Sequence, residues 1–355
     1  MSDTLAQYDF ELPRESIAQA PVEPRDSARM MVLRRGGEEL RHQVFRELPR
    51  LLPPGALVVI NDTRVMPVRL SGQLPGGTPL EALLVEQVAP GRWEAMVKKA
   101  RRLKPGMQVP FAGGRLMARA EQRTEQGRWI LSFGETDDFL QRLEEHGLAP
   151  LPPYITRNVH DEDYDPRPDK AAYQTCYASR RGAIAAPTAG LHFTERILEE
   201  IHQGGMEIVR LTLHVGAGTF SPVKTDDPAL HQMHREWYEI PGSSAKSILE
   251  AKSQGRPVIA VGTTTVRALE SWAGEGGRQG VSGWSDIFIR PPYEFKMVDG
   301  LLTNFHLPRS TLLMLVSAFH GRQPTIKAYD CAVRMSYRFY SFGDCMLILP
   351  REPAG

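Results

Sequence analysis

Cysteine is scarce. Cys176, Cys331 and Cys345 are the three in 355 residues, too few and too scattered for a disulfide framework or a thiolate zinc site, which fits a reducing compartment. Long apolar runs are missing too. Ala56 to Ile60 and Leu312 to Val316 fall far short of the ~20 residues a membrane helix needs. The opening MSDTLAQYDFELP carries neither the basic nor the apolar region of a secretory signal. A cytoplasmic protein that spans no membrane is therefore expected. Neither sign of charge dominates: 43 Lys and Arg stand against 42 Asp and Glu, for a net charge of +1, so a polyanion must be met by a local basic patch. Walker and dinucleotide fingerprints are absent, as is any internal repeat.

With 41% hydrophobic and 24% charged residues the chain falls in the ordinary globular range, and its length suits two domains. Glycine (31) and proline (28) are plentiful, which implies many turns and favours a site built on loops.

GALVVIND, from Gly55, reads as a buried strand with polar groups at its carboxyl end, where ligands gather in open α/β sheets. Between about Val68 and Tyr154 short alternating runs, such as LEALLVEQ and RLMARAEQR, are separated by Gly and Pro turns. Period two without helices predicts a small antiparallel barrel. Leu151-Pro152-Pro153 and the acidic stretch from Asn158 to Lys170 read as a linker. From Gly182 helix alternates with strand: AIAAP as a strand, a helix capped by Thr194, a strand through MEIVRLTLHV, a helix capped by Ser243 or Ser244, PVIAVG as a strand, and TTVRALESWA as a helix. An apolar helix after Ser310, another from about Thr325 and a strand from Met346 to Leu349 complete the chain. The expected architecture is a layered, mostly parallel α/β domain of residues 1–67 and 156–355, with a β-barrel inserted at 68–155.

VGTTTVRALES sets Gly262, Thr263, Thr264 and Thr265 where a buried strand becomes a helix. Free amides, a partial positive charge and three hydroxyls suit a carboxylate, phosphate or ribose, or serve as an ordinary N-cap. APTAGLHF repeats the geometry with His192 beyond a Gly turn, as a functional imidazole or a structural one. In HQMHREWYE, His231 and His234 would share a helix face while Glu236 would not, and nothing completes a metal shell, so no metal is expected. Proton transfer or grip on a polar substrate suits these side chains better. The acidic DEDYD has Pro166 where a calcium loop needs Gly. KKARRLK gathers Lys98, Lys99, Arg101, Arg102 and Lys104 on the barrel, either as a solvated face or as a neutraliser of RNA phosphates. INDTR brings Asp62, Thr63 and Arg64 beyond a buried strand, as a structural turn or a substrate contact.

Seven blocks in order, YDFELPRESIAQAPVEPRDSARMMVL, LLPPGALVVINDTRVMPVRLSG, APTAGLHFT, LHVGAGTFSPVK with HQMH, VIAVGTTTVRALES, VDGLLTNFHLPRSTLLMLVSAFHG and YRFYSFGDCMLIL, resemble the S-adenosylmethionine:tRNA ribosyltransferase-isomerase family of queuosine biosynthesis. The resemblance spans nearly the whole chain. It implies transfer of the ribosyl portion of S-adenosylmethionine to 7-aminomethyl-7-deazaguanine at the tRNA wobble position, giving epoxyqueuosine, adenine and methionine. Two departures stand out: Arg290-Pro291-Pro292-Tyr293 replaces the usual Tyr-Pro-Gly-Tyr, and Trp237 stands where Tyr is common.

The implied reaction consumes S-adenosylmethionine as co-substrate, with no permanently bound cofactor. Its sulfonium acidifies the ribose C5′ hydrogens; an ylide forms, adenine leaves, the substrate amine adds, and an alkoxide expels methionine. A base, an acid and oxyanion donors are required in a water-poor pocket. These catalytic roles are expected among His192, His214, Asp62 and Glu236. Thr63, Arg64, Thr263, Thr264, Thr265, Arg267, His231, His234, Asn304 and His306 are expected to bind substrate. The cluster at Lys98 to Lys104 is expected to bind tRNA, with Phe193, Phe220, Trp237 and Phe305 as candidate stacking surfaces, each equally suited to the core and Phe305 better suited to it. A monomer is expected. The rival readings are an S-adenosylmethionine-dependent RNA methyltransferase and a non-catalytic tRNA-binding protein.

Overall fold

The computed structural model describes residues 4–74, 76–134, 138–161, 163–220, 225–277 and 280–351. The chain divides into two compact units, one of Met1–Arg64, Gln174–Arg180 and Ala186–Gly355, the other of Val65–Tyr173 and Arg181–Ala185.

Among the described residues, the first unit is built on a nine-stranded sheet. Its strands lie in the order Val281–Ser285, Glu236–Ile240, Glu207–Leu213, Leu57–Asn61, Val258–Val261, Gly300–Asn304, Cys345–Leu349, Arg29–Arg34 and Arg41–Val44. The four strands from Glu207–Leu213 to Gly300–Asn304 run parallel. Cys345–Leu349 is antiparallel to Gly300–Asn304 but parallel to Arg29–Arg34, so the sheet is mixed, with antiparallel strand pairs at both edges. All five residues of Leu57–Asn61 and all four of Val258–Val261 are buried. Continuous apolar strands of this kind require cover on both faces. One face is filled by Ile197 and Ile201, which join Val58, Ile60, Ile259, Val261 and Leu302 in a single core; the helices Gly242–Ser253 and Thr263–Gly274 also pack on these strands.

Local side-chain chemistry explains two of the α-helix starts among the described residues. Thr194 caps Glu195–Gln203 by accepting the Ile197 amide, and Ser310 caps Thr311–His320 by accepting that of Leu313. Three local expectations shift. Helix Gly242–Ser253 follows Pro241, and the buried Ser244 hydroxyl donates to the Arg210 carbonyl at 2.7 Å rather than capping. The last helix begins at Arg322, because Pro324 is tolerated in a first turn. Arg180–Ala183 is the strand near AIAAP, not Ile184 to Pro187.

The second unit is a closed six-stranded antiparallel barrel among its described residues, in the order Trp129–Ser132, Arg92–Lys98, Pro79–Ala89, Arg69–Gln73, Gln108–Phe111 and Leu116–Arg123. Alternate residues point inward, including Leu70, Leu80, Ala82, Leu84, Val109, Phe111, Ala118 and Ala120. A Cβ at Gly72 would meet the Phe111 ring at 2.6 Å and the Pro110 carbonyl at 2.7 Å, so only glycine lets those strands close. The acidic stretch is no linker. It belongs to this unit and carries the helix Arg167–Ala172, whose buried Asp169 accepts from Arg157 Nε at 2.8 Å and from the Tyr164 hydroxyl at 2.8 Å.

Candidate active site

Polar groups gather where the parallel strands end. Asn61 closes its strand as a latch: its amide donates to the Leu213 carbonyl at 3.0 Å and to Thr264 Oγ1 at 3.3 Å, while its Oδ1 accepts the Leu213 and Thr63 amides. Asp62 follows, 8% exposed. One carboxylate oxygen accepts from the Thr212 hydroxyl at 2.6 Å and the other from that of Ser179 at 2.7 Å. Thr63 Oγ1 meets His214 Nδ1 at 2.8 Å. The His214 ring stacks on Trp237, centroids 5.0 Å apart at 21°. Partial burial and the nearby Arg180 charge lower the His214 pKa, against the opposing pull of Asp62 and Glu239. In the tautomer whose Nδ1–H donates to Thr63, Nε2 keeps a lone pair and has no partner among the described residues.

Beside this group, the turn Thr188–His192 approaches the start of helix Thr263–Gly274. Gly262 sits there at φ +90°, and a Cβ on it would meet Ala189 Cβ at 3.8 Å. His192 is buried against Phe45, and its Nε2 accepts from Asn304 Nδ2 at 3.3 Å. Asn304 Nδ2 also donates to the Tyr340 carbonyl at 3.1 Å, which fixes the amide's orientation. The proton of His192 therefore resides on Nδ1. Burial, reinforced by the Arg25 and Arg338 charges, pushes the His192 pKa down to about 4, so the ring is neutral at pH 7. Asn304 Oδ1 is buried without a partner among the described residues. Such a rim joins lone pairs, neutral N–H donors, hydroxyls and a helix N-terminus around one end of the sheet, equipment for moving protons at a polar substrate.

The profile of the family described as "Queuosine biosynthesis protein" matches residues 5–348. The chain belongs to that family. The S-adenosylmethionine:tRNA ribosyltransferase-isomerase of Halothermothrix orenii is 49% identical over 345 residues, 97% of this chain and 99% of that protein. The enzyme of the same name from Desulfitobacterium hafniense is 50% identical over 347 residues, 97% and 99% of the two chains. A crystal structure of S-adenosylmethionine tRNA ribosyltransferase from Thermotoga maritima is 38% identical, with TM-score 0.56 over 97% of this chain and 100% of that one.

Several expected site residues of this queuosine biosynthesis family member are engaged elsewhere. Glu236 and Arg267, both buried, form an ion pair with each other; Glu236 also accepts the Gly216 amide at 3.0 Å. Neither is a free base or a free cation. Thr265 donates its hydroxyl to the Val261 carbonyl at 2.6 Å, inside the helix turn. His306 is buried, meets Thr303 Oγ1 at 2.9 Å and has its pKa pushed down to about 3 by burial, as a structural imidazole. His231 and His234 lie on irregular backbone rather than a helix, His231 against Phe288 and His234 against Gly218. Among the described residues no group of three or more His, Cys, Asp or Glu is placed to hold a metal. Arg64 is half-buried and its Nε lacks a partner among those residues. Phe193 and Phe305 are wholly buried core, Trp237 is half-buried, and the Phe220 side chain lies outside the described residues. Lys98, Lys99, Arg101, Arg102 and Lys104 are all exposed on the barrel unit, Lys98 pairing with Glu81 at 3.7 Å. No helix among the described residues is long and apolar enough to cross a membrane.

Sequence reasoning passed over Asn61, Ser179 and Thr212, the residues that hold Asp62 and Thr63 in place. Thr212 had a signal, a hydroxyl among apolar neighbours in RLTLHV. Ser179 had none, since it meets Asp62 from 117 residues away.

Proposed function

We propose that this chain transfers and isomerises the ribosyl portion of S-adenosylmethionine onto 7-aminomethyl-7-deazaguanine at the tRNA wobble position, giving epoxyqueuosine with release of adenine and methionine. We further propose that it acts as a cytoplasmic monomer without a permanent cofactor. The observation that carries the reading is the convergence of Asp62, Thr63, His214, Thr264, His192 and Asn304 on one rim of the sheet, in a member of this family.

Bound S-adenosylmethionine supplies a sulfonium that makes its C5′ hydrogens acidic. In this reading His214 Nε2 takes that proton, with Thr63 fixing the ring and the Asp62 charge strengthening the base, so Asp62 is a positioning residue. His192 offers a neutral Nδ1–H to negative charge developing on the leaving group. The first amides of helix Thr263–Gly274, with the Thr263 and Thr264 hydroxyls, hold the methionine carboxylate. Asn304 Oδ1, buried and unpaired, accepts an N–H of the substrate. Glu236 and Arg267 brace the site. The barrel's Lys98 to Lys104 cluster meets tRNA phosphates, and the unpaired wobble base enters without any duplex being unwound.

Incubation of purified protein with S-adenosylmethionine and precursor-bearing tRNA tests this directly. Free adenine and methionine are expected. S-adenosylhomocysteine would establish a methyltransferase instead, and tRNA binding with no turnover a non-catalytic module.

A further inference from the structure

The edge strand Val281–Ser285 pairs antiparallel with Glu236–Ile240, with Trp284 directly opposite Trp237. Directly opposed residues project to the same face of a sheet. The next strand continues the row: the His214 amide donates to the Trp237 carbonyl at 2.9 Å and its ring stacks on that indole. Thr63 then holds His214. One line therefore runs across the sheet from the candidate active site through His214 and Trp237 to Trp284. The opposite face of these strands is closed, with Leu213, Tyr238 and Glu236 buried beneath. On the open face Trp284 is 55% exposed, an unusual cost in apolar hydration for the largest side chain, and the Arg235 guanidinium stands 5.7 Å from its ring centroid.

We infer that Trp284, with Trp237 and Arg235, is a stacking platform for an unpaired nucleotide adjoining the target base of the RNA substrate. This rests on the activity proposed above. A flat indole accepts any base through its π face, and the guanidinium adds cation–π and phosphate contacts. Nucleic acid fits better than a protein partner because the row is continuous with a site that must receive a nucleobase, and because a cation attends the indole. Of the acids around it, Glu239 is already paired with Arg180, and Asp286 is exposed beyond the strand's end.

The test is binding of an anticodon stem-loop to wild type, Trp284→Ala and Trp284→Phe, with melting curves confirming that all three fold. Trp284→Ala is expected to weaken binding about 10-fold and Trp284→Phe by less than about 3-fold. The loss falls on the KM for RNA and not on that for S-adenosylmethionine. Replacing the flanking base by an abasic residue should erase the difference between wild type and Trp284→Ala. Equal affinity of wild type and Trp284→Ala overturns the platform, as does a loss indifferent to every flanking base. A wild-type dimer that Trp284→Ala dissolves to monomers would make this edge a surface for a second copy and also overturn it. Wild-type protein that binds RNA but releases no adenine refutes the activity instead, a result distinguishable from either.

Discussion

His192 offers the sharpest check on the site, because its burial makes one prediction for stability and another for catalysis. Its folded-state pKa of about 4 lies below the ordinary 6.5 of an exposed imidazole. As pH falls, the unfolded chain binds a proton first, so the stability present above pH 6.5 is lost progressively down to about pH 4. At 1.36 kcal/mol per unit, the part lost between pH 7 and pH 5 is roughly 2 kcal/mol for this residue. His306 and His320, with pKa values pushed down to about 3 and about 4, act in the same direction, so the wild-type slope alone does not isolate His192. His192→Gln does. Urea unfolding of both proteins at pH 7 and pH 5 should show the variant losing about 2 kcal/mol less than wild type over that interval. Equal losses would mean that His192 is solvated or charged, and the neutral-donor role would fall with it. For catalysis, about one molecule in a thousand carries imidazolium at pH 7, so the ring acts through its neutral N–H. His192→Ala should lower turnover by about 100-fold with little change in S-adenosylmethionine binding, and His192 itself should contribute no step to the rate near pH 6.5.

Neutralising Lys98, Lys99, Arg101 and Arg102 should weaken tRNA binding and flatten the plot of log Kd against log salt by roughly 0.7–0.9 per lost phosphate contact; an unaltered slope would make the cluster a solvated face. Thr264→Val, which removes a hydroxyl at the helix start, should raise the KM for S-adenosylmethionine several-fold more than it lowers kcat, as steady-state kinetics would report. Glu236→Gln should leave the buried Arg267 guanidinium uncompensated and cost about 3 kcal/mol or more in a denaturant titration, whereas an exposed pair would cost under about 1 kcal/mol. Thr212→Val, nearly isosteric, should cost about 2 kcal/mol by stranding an Asp62 oxygen, with turnover falling alongside; no change in either would remove Asp62 from its positioning role.

Much of the architecture was legible along the chain because its signals are local. Alternation at period two announced the barrel, whose inward Leu80, Ala82 and Leu84 are buried while Glu81 and Leu83 between them are not. Thr194 and Ser310 announced helix starts through hydroxyls that meet amides three residues on. The placing of Asp62, His192 and Thr263 at strand or turn ends followed from apolar runs that stop at polar residues. The partners of those groups were not legible. Glu236 reads as a free carboxylate and Arg267 as a free cation until a helix laid against a strand pairs them over 31 residues. His306 and His192 look alike in sequence, yet one is bound to Thr303 within its own turn while the other meets Asn304 from 112 residues away. Trp237 and Trp284 become one surface only through strand register. Periodicity and capping act over a few residues and so are written in the chain; which charge neutralises which, and which ring faces water, depends on strand order and helix packing between distant segments, and only the folded molecule decides it.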